Sequence, residues 1–231
     1  MAVVELGEEI TMYQEFLVDI AYFLIRFFFG PFVRLIWIKK IVGLENIPKK
    51  GPVIVAFNHQ SYFDFICFIA VSPRNVYYLS AEKFFERPLW SFLLRITGQI
   101  PVVRTSSDKG ELHDIVHEHL DQGKMIGIFP EGTRANDNST MLRAYPGVVR
   151  YAIEKKVPVV PVGIIGTFEI LPRTEDFPKF KKIVKINVGT PIYFSEYYSV
   201  KLDKTELGVL ADKVMFEIAK LSGKIYPYGN E

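Results

Sequence analysis

Cysteine is almost missing from this 231-residue chain: Cys67 stands alone, which excludes an internal disulfide framework and fits a reducing compartment. Net charge is also scarce. The formal balance of +2 supplies no general field for nucleic acid, so no nucleic-acid partner is expected and basic residues must act locally. An uninterrupted apolar run of about 18 residues, the mark of a membrane span, is missing too: the stretch from Ile10 to Ile41 is broken by Asp19, Arg26 and Arg34. The first residues lack the positive charge of a secretory leader. With Glu5, Glu8 and Glu9 they are acidic, and no cleavable signal is predicted. No internal repeat is visible.

What the chain has is apolar bulk. At 49% hydrophobic it can build one substantial core, so one globular domain is the default. Near the start, Glu15, Asp19, Tyr22 and Arg26 fall at helical spacing and form a narrow polar stripe. Phe16, Leu17, Ile20, Phe23, Leu24, Phe27 and Phe28 fill the rest of the circumference, giving a very wide apolar face. Gly30-Pro31 breaks or kinks this helix, and Phe32 to Ile38 reads as a second, shorter one ending at Lys39-Lys40.

Three placements compete: a helical pair lying in one membrane leaflet, a single tilted span, and a helix packed on the soluble core. Spanning costs about 2.5–3.5 kcal/mol for each charge left near the bilayer centre, whereas lying in the leaflet lets Asp19, Arg26 and Arg34 reach water or headgroups. That favours the first. Lys39, Lys40, Lys49 and Lys50 would then meet anionic headgroups at a cytoplasmic face. Residues 1–42 are accordingly expected to form membrane-associated helices and residues 43–231 the globular domain.

Beyond Gly51 the chain alternates strands and helices. Val53 to Phe57, Val76 to Ser80, Gln99 to Val103, Met125 to Phe129 and Val157 to Ile165 read as short buried strands, and Ile183 to Val188, which alternates more, as a sheet edge. Helices are predicted from Phe65 to Val71, over Ala81 to Ile96 around Pro88, from Asp108 to Gln122, from Pro146 to Lys155, and from Asp203-x-x-Glu206 to a stop at Gly223. This order implies an α/β fold with a mostly parallel central sheet flanked by helices.

In such a sheet ligands gather beyond the carboxyl ends of the strands. Asn58 to Asp64 follows one strand, Arg104 ends another, and Glu131 to Arg134 follows a third, so all three should open on one crevice. His59 in the loop and Asp64 in the first helical turn can meet. The carboxylate would then fix the imidazole tautomer and leave the other ring nitrogen free to take a proton. Arg104 and Arg134 offer planar forks for a phosphate or carboxylate. Gly132 lets backbone approach a ligand, and Glu131 could hold an arginine or a hydroxyl. The bland alternatives are a locally capping histidine and a tight turn with a surface ion pair. His113 and His117, four apart, could share a metal, but they sit on the polar side of their helix outside any His-Glu-x-x-His pattern. A solvated face is expected there, and no metal or other cofactor.

Asn58-His59 with Asp64 resembles the N-H-x4-D motif of the glycerolipid acyltransferases, and Phe129-Pro130-Glu131-Gly132-Thr133-Arg134 their F-P-E-G-T-R motif. Gly98 to Arg104 is similar to that family's second block and Val157 to Val162 to its fourth, so the resemblance runs roughly from Gly43 to Gly189. Within the family it looks most like the 1-acylglycerol-3-phosphate acyltransferases. The resemblance implies that His59 is the general base, oriented by Asp64, for direct transfer from acyl-CoA or acyl-ACP to the hydroxyl of lysophosphatidic acid at a membrane surface. It implies that Lys83, Arg104 and Arg134 bind the acceptor phosphate beside the loop of Glu131, Gly132 and Thr133. Two departures stand out. Pro101-Val102-Val103 replaces the family's Phe-Ile-Asp, and Tyr145-Pro146-Gly147 lacks the lysine of Phe-Lys-x-Gly. Another lysophospholipid acceptor, an inactive lipid-binding relative and a thioesterase therefore remain as alternatives.

Overall fold

Short runs rich in Val and Ile pair into one sheet. The computed structural model describes residues 2–103 and 110–229. Its strands are β1 (Ile38–Val42), β2 (Val53–Phe57), β3 (Val76–Ala81), β4 (Ile100–Val102), β5 (Met125–Ile128), β6 (Val159–Ile165) and β7 (Val184–Val188). In space they run β1-β7-β6-β2-β5-β3-β4. From β6 to β4 every pairing is parallel; β7 is antiparallel to β6 and parallel to β1. The sheet is mixed but mostly parallel, as the strand-helix alternation predicts.

Period-two geometry divides each strand between two apolar layers. Ile54 and Ala56 of β2 enter a core with Val116 and Leu120 of α5 (Gly110–Asp121), Val149 of α6 (Gly147–Glu154), and Val214 and Ile218 of α8 (Lys204–Ser222). Val53, Val55 and Phe57 face the other way, onto Cys67 and Phe68 of α3 (Phe63–Ile69). Both faces are covered, which explains why β2 has no polar residue. The last helix starts and stops as its sequence directs. Asp203 and Glu206 form a reciprocal capping box, and Gly223 closes the helix with φ of +67°.

The amino-terminal helices meet the protein body through the polar stripe. α1 (Ala2–Leu24) runs through a π-helical turn, Ile25–Phe29, into α2 (Gly30–Ile36). Pro31 has no N–H to continue the ladder, and the wider turn absorbs the break. Asp19 and Arg34 are exposed and Arg26 is half-buried, so all three can reach water, and each also contacts the protein body. Asn75 Nδ2 donates to Asp19 Oδ1 (2.6 Å), Arg26 donates to the Ser72 carbonyl and to Asn75 Oδ1, and Arg34 Nε donates to the Ala70 carbonyl. Tyr22 is fully buried; its hydroxyl donates to the Val76 carbonyl and accepts from Gln99 Nε2. Lys124 Nζ meets Glu15 at 2.8 Å. The stripe docks because the segment from Ser72 to Val76, together with Gln99 and Lys124, offers a partner to each group on it. The outward face is largely apolar: Phe16, Phe23, Phe27, Phe28 and Phe29 are all exposed. By length and composition, Tyr13–Ile36 is sufficient to cross a membrane.

Two further elements are corrected. Ile38 to Lys40, predicted as the end of the second helix, belong instead to an edge strand, Ile38–Val42, because β7 pairs with it in parallel register. In consequence β7 is interior and not the sheet edge. A run of five residues with two lysines fits either period, and only the partner decides. Pro88 does separate two parts: a 3₁₀ turn, Glu82–Phe84, precedes α4 (Pro88–Ile96).

Candidate active site

β2 delivers the first component. At its end Asn58 is buried and joined to β6 by two hydrogen bonds, donating to the Ile164 carbonyl (2.9 Å) and accepting from the Ile164 amide (2.7 Å). This fastens the start of the loop that carries His59. Asp64, in the first turn of α3, is fully buried. Its Oδ2 lies 2.9 Å from His59 Nδ1 and accepts from the amides of Gln60 (2.8 Å) and Ser61 (2.9 Å). Its Oδ1 accepts from the hydroxyl of Thr167. A carboxylate can only accept, so a ring of donors suits it. With Asp64 accepting, Nδ1 carries the imidazole hydrogen and Nε2 keeps its lone pair.

β5 delivers the second. Phe129 stacks on the His59 ring, with centroids 4.1 Å apart. Glu131 is buried, and its two oxygens are both taken by backbone: Oε1 accepts from the His59 amide and Oε2 from the Leu142 amide, each at 2.7 Å. Burial pushes the Glu131 carboxyl up to about 7, against the opposing pull of those two amides. The Ala135 amide returns to the His59 carbonyl at 2.8 Å, so the loops after β2 and β5 are laced together around His59. Gly132 has φ of +67°, a backbone conformation that favours glycine, and the exposed Tyr145 ring lies over it, 2.7 Å from where a Cβ would be. The Arg134 guanidinium carbon lies 3.6 Å from the Tyr62 ring centroid.

Two residues that the sequence reading missed come from the loops after β6. Thr167 opens α7 (Thr167–Ile170) directly after Gly166, whose φ is +92°. The available signal was a Gly-Thr at the carboxyl end of the most apolar strand. Arg173 donates to Asn136 Oδ1 (2.6 Å) and Thr133 Oγ1 (3.4 Å). It lies in an irregular loop, where no pattern marks a basic residue as functional. Burial, and after it the charge of Arg173, lower the Arg134 guanidinium pKa, while Tyr62 pulls the other way.

His59, Lys83, Glu131, Gly132, Thr133, Arg134 and Arg173 all line one cavity of about 860 Å³. Its remaining wall is largely apolar: Phe65, Ile66 and Ile69 of α3, Trp90 and Leu93 of α4, and Ile25, Phe29 and Val33 from the amino-terminal helices. Asp64 lies behind His59, outside this lining. Arg104 falls outside the described residues. His117 Nε2 pairs with Glu154 at 2.9 Å, and His113 Nε2 lies 3.3 Å from Arg150 Nη1. Among the described residues no group of three His, Cys, Asp or Glu is placed to share a metal ion. The arrangement brings an oriented base, guanidinium groups and a long apolar surface into one space. It suits proton abstraction from the hydroxyl of an anionic, chain-bearing molecule.

The family model described as "Acyltransferase" matches residues 39–165. A 1-acyl-sn-glycerol-3-phosphate acyltransferase of Bacillus subtilis (strain 168) is 26% identical over 188 residues, covering 80% of this chain and 89% of that protein. The chloroplastic 1-acyl-sn-glycerol-3-phosphate acyltransferase BAT2 of Brassica napus is 29% identical over 163 residues, covering 68% of this chain but 45% of that protein. In three dimensions the chain is similar to the crystal structure of PlsC, the 1-acyl-sn-glycerophosphate acyltransferase of Thermotoga maritima. The TM-score is 0.67 and the identity 23%, over 90% of this chain and 80% of that one, a likeness of fold.

Proposed function

The chain belongs to the acyltransferase family, and from that premise we infer that it transfers an acyl chain from a thioester, acyl-CoA or acyl-ACP, to the free hydroxyl of 1-acylglycerol-3-phosphate, forming phosphatidic acid. The observation that carries this reading is the His59–Asp64 pair, 2.9 Å apart, in a cavity that holds both Arg134 and an apolar wall. His59 Nε2 takes the hydroxyl proton as the acceptor oxygen attacks the thioester carbonyl. The C–S bond then breaks, and the departing thiolate receives the proton from His59, so the base is restored within each turnover. Asp64 holds the ring and stabilises the imidazolium between the two transfers.

Arg134, with Lys83 and Arg104, binds the acceptor phosphate. Gly132 and Thr133 shape the loop that presents Arg134, while Glu131 holds that loop against His59 through two backbone amides. The acyl chains lie along the apolar wall toward α2. Helices α1 and α2 associate with the cytoplasmic face of a membrane, and the acyltransferase domain begins with β1 at Ile38, five residues before the boundary at residue 43 expected from the sequence. The outward phenylalanines of α1 and of the turn after it support a helix that lies along one leaflet, with Asp19 and Arg34 still open to water or headgroups.

The test is thiol release from acyl-CoA and acyl-ACP by the purified protein with a panel of lysophospholipids. Release that requires lysophosphatidate and forms phosphatidic acid supports the reading. Release independent of any acceptor would make the protein a thioesterase, and binding without turnover an inactive relative.

A further inference from the structure

One exposed aromatic and basic surface lies outside the helices already assigned to the membrane. The loop between α7 and β7 carries Phe177 and Phe180, which are 82% and 74% exposed. Large aromatic side chains this open in a loop lose apolar burial that even modest packing would supply. The loop is nonetheless held in place. Trp37 Nε1 donates to the Lys179 carbonyl (2.8 Å), the Lys179 amide donates to the Ile170 carbonyl (2.8 Å), and Phe180 stacks on the Trp37 ring at 5.6 Å. Phe32 of α2 meets the same Trp37 ring edge-on, also at 5.6 Å. An aromatic chain, Phe32–Trp37–Phe180, therefore joins the exposed apolar face of α2 to the loop tip.

Charge accompanies it. Lys181 and Lys182 follow Phe180 directly and are exposed, and Lys40 of β1 and Lys185 of β7 are register partners, both exposed. Among the described residues no carboxylate forms an ion pair with any of these four; Lys179 alone has one, with Glu175 at 3.4 Å. Like charges held side by side on adjacent strands are destabilising unless an anion relieves them. Exposed rings flanked by unpaired lysines and continuous with a lipid-facing helix match the chemistry of an anionic bilayer surface.

We propose that the loop from 172 to 182 is a second lipid-docking element, which inserts Phe177 and Phe180 among acyl chains and sets Lys181 and Lys182 on anionic headgroups. It rests on the membrane-bound reading of α1 and α2. Arg173, at the start of the same loop, lines the cavity, so docking fixes the cavity rim relative to the leaflet that holds the acceptor.

A nitroxide attached through Asp176→Cys reports on the loop alone, since Cys67 is buried and does not compete for label. Its accessibility to oxygen and to a water-soluble nickel chelate is measured on the full chain with vesicles of phosphatidylcholine, alone or mixed equally with phosphatidylglycerol. On mixed vesicles the label becomes oxygen-accessible and shielded from nickel. Lys181→Ala with Lys182→Ala weakens that docking about 25-fold, at roughly fivefold per lysine (~1 kcal/mol each), while sedimentation with the vesicles persists through α1. A label that stays nickel-accessible on mixed vesicles, while the protein sediments with them, overturns the proposal. So does shielding without lipid at raised protein concentration, which would assign the surface to a second copy. A protein that sediments with no vesicle overturns the membrane reading itself, and the proposal with it.

Discussion

Thr167 donates its hydroxyl to Asp64 Oδ1, the carboxylate oxygen that His59 does not use. The imidazole is thus oriented by a carboxylate that is itself held from a third strand end, and β2 and β6 meet at the pair. Replacing this hydroxyl with a methyl group removes one hydrogen bond to a charged acceptor, worth about 1.5–3 kcal/mol. Thr167→Val should lower kcat at least about tenfold with little change in either KM, and Thr167→Ser should restore most of the rate. Steady-state kinetics of the two variants check this. Equal losses in both would point to a packing role for the methyl group.

Glu131 gives a pH signature. Its carboxyl is raised from 4.5 to about 7 by burial, so the native state binds a proton that the unfolded chain has already released over that interval. Its contribution to stability is full below about 4.5 and is lost as pH rises through about 7. The melting-temperature difference between the native protein and Glu131→Gln should therefore shrink across that range. Melting curves at several pH values test it, and a difference independent of pH would contradict the assigned burial.

Arg134 and Arg173 face the same cavity without a carboxylate partner among the described residues. An acceptor phosphate would relieve their mutual repulsion. Arg134→Ala and Arg173→Ala should each raise the KM for lysophosphatidate about tenfold, the loss of one charged hydrogen bond. Acceptors without a phosphate should be insensitive. Initial rates over an acceptor series separate the two cases.

Tyr22 tests how α1 is seated. Its hydroxyl bonds the buried Val76 carbonyl and Gln99, so Tyr22→Phe should destabilise the fold by about 1–2 kcal/mol, measurable by denaturant unfolding in detergent. Were the polar stripe facing water, the substitution would be neutral.

The sequence made much of this legible for a physical reason. β2, β5 and β6 are buried on both faces, and their all-apolar runs leave the polar loop residues in sharp relief, so the meeting of His59, Asp64 and Glu131–Arg134 follows from strand order alone. β1 and the facing of α1 were less accessible. Ile38–Val42 becomes a strand only because β7 lies beside it, and the stripe of Glu15, Asp19, Tyr22 and Arg26 is polar whichever way it turns. Helical periodicity marks a stripe but does not say whether water or Asn75 and Val76 will satisfy it. Glu131 illustrates the same limit: its residue type suggests a ligand contact, while both its oxygens hold backbone.

His59, proposed as the base for acyl transfer to lysophosphatidate, is the residue on which the proposed chemistry turns. The most direct measurement is the rate of phosphatidic acid formation by His59→Ala, with lysophosphatidate and acyl-CoA both saturating and the fold verified by its melting curve. A fall of about 10² to 10⁴ is predicted, the usual worth of general-base assistance. A folded His59→Ala protein that forms phosphatidic acid at the native rate would contradict the account.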